Sequence, residues 1–482
     1  MLQRYTVTLQ KCRNFAALKT PNLALIKSIS GIRGTIGGKP GTSLSPIDVV
    51  KYTAAFGQWA MSSGNRKIVI GRDGRMSGPM IAELVAQTLV SLGAEVIDLG
   101  LSTTPTVEFE VVAENAAGGI IITASHNPKE WNALKLLNEL GEFISSTVGA
   151  QILNDAENDN INFASVDQAG SRIIKESHAE AHLDAIIAHP LVNAGIISNR
   201  KPKIVIDAIN SSGAIFVPAL LKKLGIPDEN IIVLNAEVNG RFAHNPEPLP
   251  QHLTELSAAV VKHKADLGIS VDPDVDRLVL VCEDGSMFGE EYTLVAVADY
   301  VLGKKKGNTV SNLSSTRALR DITEKHGGQY FAAAVGEVNV VAKMKEVDAV
   351  IGGEGNGGII VPDFHYGRDA LIGIALFLTH LCSSAKTTKQ LRNSYPDYFI
   401  NKNKIELEGD IDLNKIFSSL KEKYKAYPIN TVDGLRIDFD NDWVHLRASN
   451  TEPIIRIIAE SNFETTAANI ASKLIKDIQE SL

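Results

Sequence analysis

The spacing of hydrophobic positions along the chain alternates between a strand pattern and a helix pattern. An apolar strand is predicted at 67–73, a helix at 80–92 and a second strand at 95–99, because the apolar residues of the helix are spaced three or four apart. A second helix at 106–114 and a third strand at 119–123 follow. Such alternation is typical of a parallel sheet covered by helices. We therefore predict one βαβαβ unit here.

The same alternation returns twice more, and the last part of the chain differs. Strand and helix patterns alternate again across 203–271 and 309–351, whereas 404–482 carries four short strand patterns and a closing helix. We predict an α/β protein with three consecutive βαβαβ domains of similar topology and a smaller C-terminal α+β domain, around a central cleft. The predicted divisions are an N-terminal extension at 1–24, domain I at 25–158, domain II at 159–287, domain III at 288–397 and domain IV at 398–482.

A polar loop follows the third strand of each unit. The loops read TASHNP at 123–128, DPDVDR at 272–277 and GEGNGG at 353–358. In open α/β sheets, ligands bind beyond the carboxyl ends of the strands. We expect the three equivalent strand ends to face one shared cleft.

The second loop carries three closely spaced carboxylates. Alternate residues of an extended segment share a side, so Asp272, Asp274 and Asp276 are expected to converge on one hard cation, with Mg²⁺ the natural choice. Arg277 stands where a calcium-binding EF-hand loop needs glycine, and it is placed to contact a phosphate beside the cation. The alternative is an exposed acidic turn.

The first loop presents a hydroxyl at a strand end. Ser125, near a cation, is a candidate phosphoryl acceptor or nucleophile. No GxSxG motif surrounds it, so a serine hydrolase is not supported. The alternative is a helix N-cap, where serine is favoured. His126 has either an orienting or a structural role.

The third loop formally matches the GxGxxG dinucleotide pattern. Such a fingerprint opens a helix, but the apolar run at 359–362 is extended and then broken by proline, so we reject that reading. Glycines flanking Glu354 and Asn356 suit the close approach of a polyhydroxyl ligand, with the two side chains bonding adjacent hydroxyls. The alternative is a tight turn with incidental polar residues.

Two further patterns place arginines beside glycine or hydroxyl residues. The segment RASNTEP at 447–453, with Arg456 three residues on, offers two arginines, two hydroxyls and loop N–H groups for a dianion such as phosphate. The alternative is a surface turn with solvated charges. SGIRG at 30–34 supplies a fixed charge at Arg33 and is the weaker pattern.

Composition and charge exclude several other classes of protein. The 482 residues include 48 basic and 56 acidic side chains, a net charge of −8, whereas general nucleic-acid binders are usually basic. The longest apolar stretch, at 370–378, is far short of the ~20 residues that a membrane span needs. Cys12, Cys282 and Cys382 are odd in number and far apart, which disfavours a disulfide framework or a zinc site and fits a reducing compartment.

The N-terminus is basic and contains no acidic residue before Asp48. Acid-poor, basic segments occur in organelle transit peptides. We favour the simpler interpretation, a loosely ordered extension before Leu25.

Taken together, these motifs resemble the α-D-phosphohexomutase family, which comprises phosphoglucomutases, phosphomannomutases and phosphoglucosamine mutases. The matching segments occur in the family's order: SGIRG at 30–34, GRDGRMSG at 71–78, TASHNP at 123–128 with Asn132 and Lys135, HNPEP at 244–248, DPDVDR at 272–277, GEGNGG at 353–358 and RASNTEP at 447–453.

The resemblance implies a role for each of these positions. Ser125 would carry a phosphoryl group, and Mg²⁺ would be held by the three aspartates together with Ser125. A hexose 1,6-bisphosphate would act as the phosphorylating activator. The other implied residues are catalytic Arg33, His126, Lys135 and Arg277, and substrate-binding Glu354, Asn356, Arg447, Ser449, Asn450, Thr451 and Arg456. Lys135 is the general base that we favour, on the expectation that burial and the cation lower its pKa.

The implied activity moves a phosphoryl group between O6 and O1 of a hexose, through a phosphoserine and a 1,6-bisphosphate. The Glu-x-Asn-Gly-Gly pattern at 354–358 is similar to the archaeal-type phosphoglucosamine mutase branch with its bacterial relatives, so we expect glucosamine 6-phosphate to become glucosamine 1-phosphate. The alternatives are a phosphomannomutase/phosphoglucomutase of dual specificity, a phosphosugar phosphatase and a non-catalytic phosphosugar-binding relative. We expect a cytoplasmic monomer or homodimer whose partners are small hexose phosphates, with no nucleic acid and no membrane.

Overall fold

The computed structural model of the chain describes residues 24–28, 31–406, 413–448 and 454–480. The predicted N-terminal extension lies outside the described residues except for Ala24, and so does Cys12. Five residues of the predicted phosphate loop, 449–453, also lie outside them, among them the predicted site residues Ser449, Asn450 and Thr451.

The first unit is built on a mixed sheet of seven described strands. Its strands are β1 (Leu25–Ser28), β2 (Gly31–Thr35), β3 (Lys67–Arg72), β4 (Glu95–Leu101), β5 (Gly118–Ile122), β6 (Trp131–Leu137) and β7 (Ser171–Ile174), and its helices are α1 (Pro46–Ala60), α2 (Gly78–Ser91), α3 (Thr104–Ala113) and α4 (Ser146–Glu157). The strand order is β1-β2-β6-β5-β3-β4-β7. Strands β3, β4 and β5 are parallel, and β6 runs antiparallel to β5.

Strand β7 belongs to this first sheet because it pairs in parallel with β4. The predicted boundary between residues 158 and 159 therefore divides the sheet. Most side chains of β7 are exposed, so the sequence carries no alternating burial pattern that would identify this strand.

The second and third units repeat one strand order. The second contains β8 (Ile204–Asp207), β9 (Ile231–Leu234), β10 (Leu267–Val271) and β11 (Leu278–Cys282), with α5 (His178–Ala188), α6 (Ala194–Arg200), α7 (Gly213–Lys223) and α8 (Thr254–His263). The third contains β12 (Asn308–Asn312), β13 (Tyr330–Ala333), β14 (Ala349–Glu354) and β15 (Gly358–Ile360), with α9 (Glu290–Lys304), α10 (Ala318–Lys325), α11 (Glu337–Glu346), α12 (Ala370–Ser383) and α13 (Thr388–Arg392). Their sheet orders are β11-β10-β8-β9 and β13-β12-β14-β15.

In each of the three units, the first parallel strand lies between the second and the third, and an antiparallel fourth strand flanks the third. The prediction of three similar βαβαβ domains is confirmed, with this fourth strand added to each. Each predicted polar loop is the connection between the third and fourth strands. The three loops therefore occupy equivalent positions in the three units.

The last unit is an antiparallel sheet of five described strands with helices, as predicted for an α+β domain. Its elements are β16 (Phe399–Glu406), β17 (Ile429–Asn430), β18 (Leu435–Asp438), β19 (Trp443–Ala448), β20 (Ile454–Ser461), α14 (Leu413–Lys423) and α15 (Glu464–Gln479). Leu446, Ile457 and Leu474 lie in its core, where α15 packs on the sheet.

The second and third units share one hydrophobic core. Helix α12 is apolar on nearly all its faces and packs against α9 of its own unit and against α5, α6 and α7 of the second unit. This shared core fixes the second and third polar loops relative to each other. No helix within the described residues is long and apolar enough to cross a membrane.

Candidate active site

Side chains of the first and second polar loops meet at the centre of the molecule. The Ser125 Oγ donates a hydrogen bond to Asp272 Oδ2 at 2.7 Å. The Lys135 Nζ, on β6, lies 2.7 Å from Asp274 Oδ2 and 3.2 Å from Asp276 Oδ2. All five side chains are buried. The expectation that the loops share one cleft is therefore confirmed for these two units.

The serine loop is held in a strained conformation by its neighbours. Ser125 has φ +49°, a left-handed conformation that is uncommon outside glycine, and its N–H donates to Thr123 Oγ1 at 2.9 Å. The buried Arg75 guanidinium donates to four carbonyl oxygens of the loop and its flank, those of Ser125, Asn127, Pro128 and Trp131. Asp73 in turn binds the Arg75 Nε at 3.0 Å. This network presents the Ser125 hydroxyl to the aspartates.

The three aspartates converge through a turn rather than along an extended segment, which corrects the predicted geometry. Val275 has φ +61°, an outlier for a β-branched residue. Asp272 Oδ1 accepts the N–H groups of Asp276 and Arg277, each at 3.1 Å. The turn still brings one carboxylate oxygen of each aspartate to within 4.8 Å of the others.

The chemistry of these donors fits a hard divalent cation. Every donor is an oxygen, as Mg²⁺ prefers. Asp274 Oδ1 and Asp276 Oδ1 are buried and have no hydrogen-bond partner among the described residues. Buried carboxylate oxygens are normally paired, so these two are available as ligands.

Charge repulsion and burial set the protonation of the aspartates. Burial raises the pKa of Asp272 well above its ordinary value, and the neighbouring Asp276 and Asp274 carboxylates add to the rise. Burial also raises the pKa of Asp276, but the Arg368 and Lys135 cations outweigh it and leave that pKa below its usual range. Cations thus outweigh burial on the Asp276 side of the cluster, whereas beside Ser125 the Arg277 guanidinium offsets only part of the rise in the Asp272 pKa.

Burial lowers the pKa of Lys135, as expected, but the Asp274 and Asp276 carboxylates together raise it more, so the pKa lies above the ordinary value for lysine. Lys135 is therefore a cation throughout the neutral range. The role of Lys135 as general base stays a prediction.

Three other predicted catalytic residues surround Ser125 in one cavity of about 580 Å³. The His126 Nδ1 lies 3.3 Å from Ser125 Oγ, and burial with the Arg277 and Arg33 cations holds the pKa of His126 well below its usual value. Arg33 Nη1 donates to Asn127 Oδ1 at 2.7 Å. Arg277 Nε lies 4.0 Å from Asp272 Oδ2. The cavity can therefore surround a phosphoryl group on Ser125 with two arginines and a neutral imidazole.

Glycine is required where the Arg33 strand meets the Lys135 strand. Gly31 has φ +117°, and a Cβ there would lie 2.0 Å from the Leu134 carbonyl oxygen. This close approach gives the SGIRG pattern a physical reason: it seats Arg33 and Lys135 in the same cavity.

Glu354, in the third unit, lines the cavity around Ser125. Asn356 is not among the described residues that line it. Glu354 Oε1 accepts from Asn312 Nδ2 at 2.8 Å and from the Gly336 N–H at 3.0 Å. Asn356 instead bonds within its turn: its Oδ1 accepts the Gly358 N–H at 3.2 Å. A direct contact of Asn356 with a sugar remains a prediction.

Arg368 is a central residue of the site, although it belongs to none of the sequence motifs. It joins the carboxylates of Asp276, Glu337 and Glu354 at 2.7, 3.0 and 3.0 Å. It thereby couples the aspartate turn to the third polar loop. The only sequence signal was its position two residues before the apolar helix α12, which does not separate it from a surface arginine.

A row of basic side chains crosses the sheet of the fourth unit. Arg447 on β19 is directly opposite Arg456 on β20, which is directly opposite Lys404 on β16. Like charges directly opposite destabilise a sheet, so this arrangement favours a bound anion. Arg447 pairs with Asp433 at 3.0 Å, and Asp433 also accepts the Val335 N–H at the cavity wall. Neither arginine belongs to the described cavity lining.

Comparisons with known proteins show the family to which the chain belongs. Four family models match the chain, all described as domains of phosphoglucomutase/phosphomannomutase: domain I at 25–162, domain II at 180–285, domain III at 289–398 and the C-terminal domain at 408–476.

Similar proteins cover nearly the whole chain. A phosphoglucomutase/phosphomannomutase of Thermococcus kodakarensis is 35% identical over 457 residues, covering 93% of this chain and 98% of its own. A phosphoglucosamine/phosphogalactosamine mutase of Sulfurisphaera tokodaii is 30% identical over 456 residues, with the same coverage of 93% and 98%. The crystal structure of a phosphoglucomutase/phosphomannomutase family protein from Burkholderia thailandensis has a TM-score of 0.82 at 25% identity, covering 95% of this chain and 98% of its own. The chain therefore belongs to the phosphoglucomutase/phosphomannomutase family, the α-D-phosphohexomutases, and is an isomerase of the intramolecular phosphotransferase class.

Proposed function

We propose that this enzyme transfers a phosphoryl group between O6 and O1 of a hexose phosphate by way of phosphorylated Ser125. The observation that carries the proposal is the 2.7 Å contact between the Ser125 hydroxyl and Asp272, in a cluster of three buried aspartates beside a cavity that Arg33 and Arg277 line. Phosphoryl transfer depends on alignment and on neutralising the charge spread over the transferred group, and this cavity supplies both.

In the proposed reaction, the free hydroxyl of the hexose monophosphate attacks phosphorylated Ser125. A new O–P bond to the sugar forms and the Ser125 Oγ–P bond breaks. The sugar hydroxyl gives up its proton and Ser125 Oγ takes up a proton, so the serine hydroxyl is restored. The resulting 1,6-bisphosphate turns over and returns its other phosphoryl group to Ser125. The sum of the two transfers is isomerisation without net hydrolysis. A hexose 1,6-bisphosphate would prime an unphosphorylated serine by the second step alone.

The residues around Ser125 have separate proposed roles. Arg33 and Arg277 offset negative charge on the transferred phosphoryl group. The His126 Nδ1, close to Ser125 Oγ and neutral because of its lowered pKa, is placed to accept a proton. Lys135, held as a cation by Asp274 and Asp276, offsets charge rather than acting as the base.

The proposed cation is Mg²⁺, held by Asp272, Asp274 and Asp276 with Ser125 beside them. When bound, it supplies Lewis-acid stabilisation of phosphoryl oxygens. The orphaned carboxylate oxygens and the all-oxygen donor set support this assignment. Distal phosphate binding is assigned to Arg447 and Arg456, with Ser449, Asn450 and Thr451 implied by the family pattern.

We propose glucosamine 6-phosphate and glucosamine 1-phosphate as the preferred pair. The Glu354-x-Asn356 pattern and the name of the Sulfurisphaera tokodaii relative favour amino sugars. The Thermococcus kodakarensis relative, which is named phosphoglucomutase/phosphomannomutase, favours the second candidate, a dual-specificity mutase for glucose and mannose phosphates. We further propose a cytoplasmic monomer or homodimer; the unpaired Cys282 and Cys382 thiols in the described part of the chain support a reducing compartment.

A specificity panel tests the proposal. Purified enzyme with Mg²⁺ and a trace of hexose 1,6-bisphosphate receives glucosamine, glucose and mannose monophosphates separately, and kcat/KM and phosphate release are followed. We expect glucosamine phosphate to lead by about tenfold or more, ~1.4 kcal/mol of discrimination. A lead by glucose or mannose phosphate contradicts the substrate assignment alone. Phosphate release without isomerisation indicates a phosphatase and contradicts the mutase mechanism.

A further inference from the structure

A second cluster of metal-ligating side chains lies away from the aspartate turn. It contains His182 on α5 and two residues of the segment leading into α12, His365 and Asp369. The imidazole of His182 is fully buried and Asp369 is 1% exposed, while His365 is 11% exposed. One ring nitrogen from each histidine and one Asp369 oxygen lie within 4.8 Å of one another.

The distances in this cluster lie at the long end of the hydrogen-bond range and close to the edge length of a metal polyhedron. Asp369 Oδ2 lies 3.2 Å from His182 Nε2 and 3.3 Å from His365 Nε2. Charge-assisted N–H to carboxylate hydrogen bonds are typically about 2.7–2.9 Å. Two ligands of a tetrahedral zinc ion with bonds of ~2.0–2.1 Å lie about 3.3–3.4 Å apart. Both observed separations lie near that edge length.

One of the two opposite ring nitrogens has a partner suited to a metal-bound histidine. Metal ligation through Nε2 leaves a hydrogen on Nδ1, which needs an acceptor. His182 Nδ1 lies 2.9 Å from Thr106 Oγ1. His365 Nδ1 lies 3.6 Å from Glu108 Oε2, beyond hydrogen-bond distance, and has no hydrogen-bond partner among the described residues.

Glu108 is an independent sign that a cation belongs here. It is 1% exposed, and neither of its carboxylate oxygens has a hydrogen-bond partner among the described residues. A carboxylate buried without a partner is costly unless positive charge lies nearby. Its Oε2 points at the His365 ring, and a Cβ added to Gly367 would lie 1.9 Å from that oxygen, so the segment is shaped around it.

The Asp369 carboxylate divides its two oxygens between two tasks. Oδ1 caps helix α12 by accepting the N–H groups of Leu371 and Ile372 at 2.7 and 3.3 Å. Oδ2 faces the two imidazoles. The cap fixes the carboxylate so that Oδ2 is presented without reorganisation.

We propose that His182, His365 and Asp369 bind a first-row divalent transition metal, foremost Zn²⁺, at a site distinct from the aspartate cluster. The nitrogen and oxygen donors suit Zn²⁺, whereas Mg²⁺ prefers oxygen alone. The ligands come from the second and third units, and Thr106 and Glu108 support them from the first. The ion therefore ties together the three units whose loops form the active site. The spacing of the cysteines disfavours a zinc site with cysteine ligands. It gives no information about His182 and His365, which are 183 residues apart in sequence.

Metal analysis of the full chain tests this site directly. The protein is produced with zinc supplementation, dialysed against excess Mg²⁺ to occupy the aspartate cluster, and measured by inductively coupled plasma mass spectrometry. We expect about one zinc per chain, and less than about a tenth of that in His182→Asn and His365→Asn. Asp274→Asn, which alters the aspartate cluster, should retain the zinc. His326→Asn is the matched control, because His326 pairs with Asp299 at an ordinary hydrogen-bond distance of 2.8 Å.

Measurements on the unaltered chain keep the proposal falsifiable if the histidine variants fail to fold. Removal of metal by a chelator and addition of one equivalent of Co²⁺, with Mg²⁺ in excess, should give visible ligand-field absorption typical of four-coordinate cobalt. Readdition of Zn²⁺ should raise the melting temperature. A chain that takes up neither Zn²⁺ nor Co²⁺ overturns the proposal. The cluster would then consist of two histidines that are hydrogen-bonded to Asp369. Equal zinc content in His365→Asn and in the unaltered chain also overturns it.

Discussion

Ser125 Oγ and Asp272 Oδ2 lie 2.7 Å apart, so the candidate phosphoryl carrier of the first unit is hydrogen-bonded to a candidate metal ligand of the second. The backbone is strained at both ends of this contact. Ser125 has φ +49°, and Val275, in the same turn as Asp272, has φ +61°. Strain persists where the surrounding structure imposes it, and it concentrates at functional sites. The contact means that the candidate phosphoryl-transfer site exists only while the two units keep this arrangement.

Replacing Ser125 tests the phosphoserine role. Ser125→Ala should lower kcat by about 10³-fold or more, because both half-reactions of the proposed mechanism pass the phosphoryl group through this hydroxyl. Binding of hexose phosphate, measured by calorimetry, should change little. The control is Ser165→Ala at an exposed position, which should keep full turnover. Substantial isomerase activity in purified Ser125→Ala would contradict the mechanism.

Substitutions of Lys135 test whether this residue acts through its positive charge or as the general base. Lys135→Met removes a cation 2.7 Å from Asp274, so we expect Mg²⁺ to activate at several-fold lower concentration while kcat falls by about 10²-fold or more. Lys135→Arg, which retains the charge, is the matched control for the Mg²⁺ effect. An increase in the Mg²⁺ concentration needed by Lys135→Met would show that the ammonium group assists cation binding.

Arg368 should be essential to the stability of the central region. Arg368→Met leaves the buried carboxylates of Asp276, Glu337 and Glu354 without their shared cation, a change that typically costs about 3–5 kcal/mol. We expect a clear fall in melting temperature. The control Arg320→Met removes a partly exposed ion pair with Asp321 and should cost less than about 1 kcal/mol. Similar melting temperatures for the two variants would refute this role.

The HNPEP segment makes a pH-dependent contribution to stability. Burial lowers the pKa of His244, but its hydrogen bond and charge interaction with Asp207 at 2.7 Å raise it more, so the folded pKa is above the ordinary value. A histidine whose pKa is higher in the folded than in the unfolded protein stabilises the fold. This stabilisation is complete below the unfolded pKa of about 6.5, and it is lost as the pH rises through the folded pKa. His244→Gln should therefore lower the melting temperature more at pH 5.5 than at pH 9.

The same substitution in an Asp207→Asn background is the control for the pH effect. Without the carboxylate, the difference between the two pH values should disappear. A penalty that is independent of pH in the unaltered background would show that the pair does not depend on the histidine charge.

The basic row of the fourth unit should bind the substrate phosphate. Arg456→Ala removes its central cation and should raise KM for hexose phosphates about tenfold with a smaller change in kcat. Lys421→Ala, at an exposed position on α14, is the matched control and should leave KM unchanged. An unchanged KM in Arg456→Ala would exclude this residue from phosphate binding.

The sequence predicted what depends on local pattern. The three strand-end loops were identifiable because buried strands end abruptly in polar residues, and their equivalent positions followed from the repeated topology. The aspartate cluster was predicted, but its geometry was not: the left-handed Val275 makes a turn that spacing alone does not reveal.

What the sequence missed depends on contacts between distant segments. Arg368 acquires its role only because Asp276 and Glu354 arrive from other strands, and the high pKa of Lys135 arises only when Asp274 and Asp276 face it across two units. The exposed strand β7 lacks a burial pattern, so its place in the first sheet was not foreseeable.

The most direct test of the central claim follows one phosphoryl group through the enzyme. The protein is incubated with glucose 1,6-bisphosphate and Mg²⁺, digested, and its peptides are analysed by mass spectrometry before and after addition of glucosamine 6-phosphate. We predict a single phosphorylated residue, Ser125, whose phosphoryl group passes to the sugar within the time of one turnover. An unmodified Ser125 in enzyme that is turning over, or a phosphoryl group on Ser125 that added sugar phosphate does not remove, would contradict the account.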